Sequence, residues 1–194
     1  MKPKIYAYYE AIQLANQNNE FACANIWKAS WEAKGWECVM LNRSHAKNSN
    51  LSTKLVAKIM KVSGFLTPEL QTQLPFIIAR YSRWCALHAA GGGWMSDYDV
   101  ANIDFTSQKA KELEGNTLLI VENEPCYLFY ATQEHCSAAI SKFISSDIFA
   151  NDRLLNESEI LQTPSKLNEV LPLVHHSKAT DELKKHEVME SLFK

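Results

Sequence analysis

The chain has 194 residues, of which 46% are hydrophobic and 22% are charged, and its formal net charge is −2. This length supports one domain with an apolar core and is short for two. The near-neutral charge offers no broad basic surface, so we expect no nucleic-acid partner. The apolar runs are too short for a transmembrane segment, while peripheral contact with a membrane and the oligomeric state stay open.

The N-terminus and the cysteines bear on location. Residues 1–9 are basic and lack the apolar run of a secretory signal. The five cysteines are odd in number and form no Cys-x-x-Cys pair, which argues against a disulfide framework or a zinc site. We therefore expect a cytoplasmic protein with reduced thiols.

The first third of the chain alternates between strand and helix patterns. Aromatic alternation predicts a strand over 4–9, and a second strand follows over 36–41. Apolar residues at helical spacing predict helices over about 19–34 and over 52–62. Glycines stand just after both helices, as expected for helix ends.

The rest of the chain continues the alternation. Thr67-Pro68 and Leu74-Pro75 are typical helix starts, and the second leads into a long apolar helix over 76–90. The predicted elements that follow are a turn and short strand over 94–100, strands over 117–122 and 127–131, a helix over 133–145, short helices over 158–161 and 166–169, a strand over 171–175 and a helix over 181–192. This order predicts a single α/β domain, with a mostly parallel mixed sheet flanked by helices.

Two carboxylates follow the glycine run that ends the long helix. Asp97 and Asp99 are one residue apart, just after Gly91, Gly92 and Gly93. Hard oxygen ligands at this spacing can chelate Mn²⁺ or Mg²⁺, and a bound cation can carry a diphosphate. The plainer interpretation is a turn with two solvated aspartates.

The run from Arg80 to Asp99 combines a helix carrying arginines, glycines, an aromatic residue and Asp-x-Asp. It resembles the sugar-binding region of DXD-containing GT-A glycosyltransferases, related to retaining mannosyl and capsular-polysaccharide transferases and to glucosylating toxins. Pro3 to Tyr6 is similar to the opening strand of that family, and Val174 to Lys178 is similar to its C-terminal histidine segment. The resemblance implies a GT-A, Rossmann-like fold.

The resemblance also implies an activity. A sugar would move from a nucleoside diphosphate donor, a UDP- or GDP-sugar, to a saccharide or other acceptor, with retention, as in polysaccharide biosynthesis. Mn²⁺ or Mg²⁺ would be held by Asp97, Asp99 and His175, with His176 as the alternative to His175. Asp97 would also contact the donor, and Glu122 is the candidate for a polar catalytic group near the sugar.

Further donor contacts are implied by the same resemblance. They are Tyr6, Ala7 and Tyr8 near the base, and Arg80, Arg83, Ser96 and Lys178 along the rest of the donor. Arg80 and Arg83 are three residues apart and share a helix face. Between the glycines and Asp97 there is one residue more than in the commonest spacing of the family, so which of the two arginines contacts the donor stays open.

Other interpretations compete with this one. Trp27, Trp31, Trp36 and Trp84 are expected to pack in the core, and Trp94 could either fill a core or stack on a sugar. An aspartyl phosphatase is disfavoured because the Asp-x-Asp pair lies at mid-chain. The alternative function is a non-catalytic domain of the same fold that binds nucleotide-sugars or another protein.

Overall fold

The structure is a computed structural model that describes residues 2–12, 17–64, 66–115, 118–120, 128–150, 153–155, 157–161 and 173–175. Its elements in chain order are β1 (Lys4–Tyr8), α1 (Gln17–Glu32), β2 (Glu37–Leu41), α2 (Arg43–Lys47), α3 (Ser52–Ser63), α4 (Pro68–Thr72), α5 (Leu74–Ala89), β3 (Gly92–Ser96), β4 (Val100–Asn102), α6 (Ser107–Leu113), β5 (Leu119–Ile120), β6 (Leu128–Thr132), α7 (Gln133–Ser145), β7 (Phe149–Ala150), β8 (Arg153–Leu154), α8 (Glu157–Leu161) and β9 (Leu173–His175).

Five strands form the main sheet, in the order β2-β1-β3-β6-β5. β1 pairs in parallel with β2 and β3, whereas β6 is antiparallel to both β3 and β5. Four strands of this sheet therefore run in one direction and β6 runs in the other. The predicted α/β class, with a mixed sheet flanked by helices, is confirmed.

The strand order reverses beside β1. The chain passes from β1 to β2 on one side and then returns to β3 on the other side. In open α/β sheets such a reversal leaves a crevice at the carboxyl ends of the two strands, where ligands bind. Here the two carboxyl ends are Tyr8 and Ser96.

Most predicted helices and strands lie within about two residues of their observed bounds, as is usual for element ends. α7 has the predicted bounds, and its N-cap Thr132 accepts a hydrogen bond from the His135 backbone N–H at 3.2 Å. Thr67 caps α4 in the same way, and a proline lies in the first turn of α5. These starts follow from local chemistry that the sequence shows directly.

The turn and short strand predicted over 94–100 are present, but the strand comes first and starts earlier than predicted, over Gly92–Ser96. β3 begins inside the glycine run, because Gly92 and Gly93 pair with β6 and have positive φ angles. A Cβ at Gly92 would lie 2.6 Å from the carbonyl oxygen of Ala131, so only glycine fits this close pairing. Residues 97–99 are not strand but separate β3 from β4.

Two short helices were not predicted. α2 is capped by the Asn42 side chain and α6 by the Thr106 side chain. Of the predicted elements, the helices over 166–169 and 181–192 lie outside the described residues. The same is true of the ends of the strand predicted over 117–122, within which β5 is described.

The core of the domain has two parts. One contains the apolar faces of α3, α5 and α7, where Trp84 stacks on Phe129 with 4.2 Å between ring centroids. The other lies under α1 and contains Trp27, Trp31, Trp36 and Trp94. All five tryptophans are buried, which confirms the packing prediction and makes Trp94 a core residue.

Two remaining expectations concern the membrane and the thiols. Among the described residues, no helix combines the length and the apolar character needed to cross a bilayer. Cys23, Cys38, Cys85 and Cys136 are free thiols, and Cys126 lies outside the described residues.

Candidate active site

A cleft of about 290 Å³ lies at the carboxyl ends of β1 and β3. This is near the lower end of the range for small-molecule sites, roughly 300–1,000 Å³. Its charged lining consists of Glu10, Glu20, Arg80, Arg83, Asp97 and Asp99. The cleft thus coincides with the point where the strand order reverses.

The Asp-x-Asp pair lies in a tight turn at the floor of this cleft. The backbone N–H of Val100 donates to the carbonyl oxygen of Asp97 at 3.2 Å, which closes the turn. Two indoles from α1 fix its ends: Trp27 Nε1 donates to Ser96 Oγ at 2.8 Å, and Trp31 Nε1 donates to the Val100 carbonyl at 3.0 Å. The turn that presents both carboxylates is therefore anchored from the core.

Both arginines of α5 converge on a carboxylate that the sequence did not predict. Arg83 Nη1 donates to Asp97 Oδ1 at 2.7 Å, and Arg83 Nη2 donates to Glu157 Oε1 at 2.6 Å. Arg80 Nε donates to Glu157 Oε2 at 2.8 Å. Glu157 is fully buried and Arg83 is 7% exposed, whereas the side chains of Arg80 and Asp97 are each 27% exposed, so the centre of the network is shielded and its ends reach the cleft.

Burial raises the pKa values of both carboxyl groups, but the neighbouring arginines make the net shifts opposite. Loss of solvation raises the pKa of Asp97 to about 7, because Arg83 only partly offsets the burial and Asp99 adds negative charge. Burial also disfavours ionised Glu157, but Arg83 and Arg80 outweigh it and lower the pKa of Glu157 to about 2. Glu157 is thus a fixed anion at neutral pH, whereas Asp97 titrates near neutrality.

The two glutamates that line the cleft each accept a hydrogen bond from a phenol. Tyr8 Oη donates to Glu10 at 2.9 Å, and Arg43 pairs with the other oxygen of Glu10 at 2.9 Å. Tyr9 Oη donates to Glu20 at 3.1 Å. Burial and the neighbouring acids raise the pKa values of Tyr8 and Tyr9, so both phenols stay neutral donors.

The three residues predicted near the base are not all at the cleft. Tyr8 lines it. Ala7 is fully buried in the core under α1, and the ring of Tyr6 lies against Gly93, in a second groove of about 480 Å³. Ser96 is also buried, and its hydroxyl accepts the Trp27 bond described above.

The histidine segment lies beside the end of the turn because its backbone pairs with β4. β9 pairs antiparallel with β4, with His175 opposite Val100, the residue after Asp99. The side chain of His175 lies outside the described part of the chain, as do Glu122, His176 and Lys178. Their predicted roles stay predictions.

The described carboxylates fit only part of a metal shell. Within the side chains that the structure describes, no three His, Cys, Asp or Glu residues are grouped to hold a metal ion. Mg²⁺ commonly uses one or two carboxylates and completes its shell with water and substrate phosphates. Asp97 and Asp99 fit that pattern, since both line the cleft and Asp97 keeps 27% of its side chain exposed.

Three carboxylates in or beside the cleft were absent from the sequence prediction. Glu10 follows β1 and Glu20 lies in the first turn of α1, neither within a motif, and Glu157 is 74 residues from Arg83. Nothing in local spacing connects such distant positions. Only the apolar residues Ile160 and Leu161, three and four positions after Glu157, indicate that its helix packs on the domain.

Compared with protein-family models, curated proteins and solved structures, the chain matches none of them. What the protein does must therefore be inferred from the chemistry of its own residues.

Proposed function

We propose that the protein is a metal-dependent glycosyltransferase that binds a nucleoside diphosphate-sugar in the cleft between β1 and β3. The sugar passes to a saccharide or other acceptor and, by the resemblance of the Asp-x-Asp region, the transfer proceeds with retention. The donor base, the sugar and the acceptor are not specified by any described residue.

One observation carries the proposal: Asp97 and Asp99 line a cleft at the topological switch point of the sheet. Open α/β sheets bind ligands at this position, so the fold alone indicates a site here. The resemblance of the Asp-x-Asp region, which rests on sequence alone, indicates the same cleft. Agreement between two independent arguments supports a site here.

The charges of the cleft favour a cation as part of the ligand. Its described lining holds four carboxylates against two guanidinium groups, and both guanidiniums are already paired with Glu157. A nucleoside diphosphate alone would be repelled by this lining. A diphosphate that carries Mn²⁺ or Mg²⁺ would instead be attracted to Asp97 and Asp99.

Each group then has a role. A bound divalent cation supplies Lewis-acid neutralisation of the diphosphate leaving group. Asp99 and Asp97 hold the cation, and Arg83 orients Asp97. Tyr8, held by Glu10 at the end of β1, borders the space for the nucleoside. Burial of the charged network lowers the local dielectric, which strengthens these interactions.

The proposal is tested by calorimetric titration of UDP and GDP with and without Mn²⁺, together with a donor-hydrolysis assay. We expect at least one of the two nucleotides to bind only with the metal, and its sugar donor to be hydrolysed slowly. Metal-dependent binding without turnover favours the non-catalytic nucleotide-sugar-binding domain. Absence of both binding and turnover contradicts the proposal.

Asp99→Asn is the variant that locates the site. It should abolish metal-dependent nucleotide binding while the melting temperature stays within a few degrees, because a half-exposed ligand contributes little to folding. Asp104→Asn is the matched control, since Asp104 is exposed and pairs only with Lys34 among the described residues. Full activity in Asp99→Asn would show that the site is assigned wrongly.

A further inference from the structure

We propose that Glu157 is a positioning residue for the cation site: it orients Arg83, and Arg83 holds Asp97 at the cleft. This inference rests on the proposed function, because it assigns Asp97 to a bound cation. Glu157 itself does not line the cleft, so it would act only through the arginines.

The geometry of Glu157 fixes the Arg83 guanidinium in one orientation. Each carboxylate oxygen of Glu157 accepts a hydrogen bond from a different arginine: Oε1 from Arg83 and Oε2 from Arg80. Arg83 also lies over the ring of Phe129, 5.4 Å from its centroid. With one terminal nitrogen bonded to Glu157 and one face on Phe129, the other terminal nitrogen is directed at Asp97 Oδ1.

Glu157 also competes with Asp97 as a counter-ion of Arg83. The guanidinium is shared between two carboxylates, at 2.6 Å and 2.7 Å. Without the charge of Glu157, Asp97 would become the principal counter-ion of Arg83, and the arginine would compete with a cation for that carboxylate. Arg80 and Arg83 would at the same time become less neutralised and attract anions more strongly.

The test compares Glu157→Gln with the wild type, using Mn²⁺ alone and inorganic pyrophosphate without metal as two separate probes. We expect Mn²⁺ affinity to fall by up to about 10-fold, the lower end of the loss seen when a metal ligand's own partner is removed, because Glu157 acts on Asp97 through Arg83. Pyrophosphate affinity should rise. A purely structural role would weaken both, so two changes of the same sign would overturn the inference.

Glu157→Asp separates position from charge and covers the case in which Glu157→Gln does not fold. Aspartate keeps the negative charge but is one methylene shorter, so it cannot reach both arginines in the observed geometry. We expect a Mn²⁺ affinity below that of the wild type and above that of Glu157→Gln. Unchanged Mn²⁺ affinity would overturn the positioning role. Asp104→Asn, a remote loss of one negative charge, should leave both probes unaffected.

A double-mutant cycle separates this inference from the proposed function. The unfolding free energies of Glu157→Asp, Asp97→Asn and the double variant are compared without any ligand. Glu157 and Asp97 should be coupled through Arg83, as expected for residues of one network. Zero coupling in a protein that binds Mn²⁺ normally overturns the inference alone. Coupling in a protein that binds neither Mn²⁺ nor nucleotide overturns the proposed function alone.

Discussion

Two groups of side chains hold the Asp-x-Asp turn from opposite sides. The tryptophan cluster, Trp27, Trp31, Trp36 and Trp94, lies under α1 and anchors the turn and the segment after it through indole N–H groups. The charge cluster, Arg80, Arg83, Asp97 and Glu157, lies beside α5. The first is neutral and apolar, whereas the second is ionic and buried.

The two clusters contribute differently: the tryptophan cluster stabilises the fold, and the charge cluster positions Asp97. Burial of aromatic surface stabilises the fold directly, and each indole keeps its hydrogen bond. Buried ion pairs gain little net stability, since the desolvation of both partners offsets their attraction. The charge cluster is therefore better explained as a device that sets the position of Asp97 than as a source of stability.

The largest expected effect is on stability, in the tryptophan cluster. Trp36→Ala should lower the free energy of unfolding by about 3–5 kcal/mol, because Trp36 is buried against Trp31, Trp94 and Phe105. Urea unfolding measures this loss. Phe21→Ala is the control, since Phe21 is 66% exposed and its loss should change stability by less than about 0.5 kcal/mol. Similar losses in both variants would contradict the comparison.

The charge cluster should affect how the stability of the fold changes at acidic pH. The pKa of Glu157 is lowered from 4.5 to about 2, so its stabilising contribution is complete above pH 4.5 and is lost as the pH falls towards 2. Asp97 has the opposite effect on stability, over a different pH range. Because its pKa is raised, the folded state becomes more stable as the pH falls from about 7 to 3.8. Stability measured from pH 4.5 to 2 should fall less steeply in Glu157→Gln. An unchanged slope would contradict this account.

Cation affinity should depend on pH through Asp97. A carboxylate must be ionised to hold Mn²⁺, and burial raises the pKa of Asp97 to about 7. Mn²⁺ affinity should therefore increase between about pH 6 and 8, by up to tenfold per pH unit below the pKa. Calorimetric titrations at several pH values measure this. Asp97→Asn should bind weakly without that dependence, and a wild-type affinity that is flat across this range would exclude Asp97 as the titrating ligand.

The smallest effect is expected outside both clusters. Lys34 and Asp104 form an exposed ion pair at 3.3 Å, and Asp104 is 70% exposed. Asp104→Asn should change the free energy of unfolding by less than about 0.5 kcal/mol. A loss comparable to that of a charge-cluster variant would show that burial is not what distinguishes these ion pairs.

The sequence was sufficient where local chemistry decides the structure. Amphipathic spacing alone predicts α7 with its observed bounds. Four of the five tryptophans were expected in the core because large aromatic rings bury most of their surface, whereas Trp94 was left open. The strand in the glycine run was missed because its pairing with β6, which is distant in sequence, overrides the weak strand propensity of glycine.

The candidate site divides in the same way. The Asp-x-Asp turn could be predicted because its two aspartates are separated by a single residue and follow a helix end and a glycine run. Glu157 could not, since its contacts with Arg80 and Arg83 form only when α8 packs beside α5. Tyr6 and Tyr8 share one strand, yet they lie in different grooves, which depends on the packing of β1 between its neighbours.

The most direct measurement is a crystal structure of the protein soaked with Mn²⁺ and the nucleoside diphosphate that binds best in titration. We expect anomalous density for Mn²⁺ at Asp97 and Asp99, with the diphosphate beside it and the nucleoside towards Tyr8. Metal and nucleotide bound in the groove beside Gly93, or anywhere outside the cleft between β1 and β3, would contradict it.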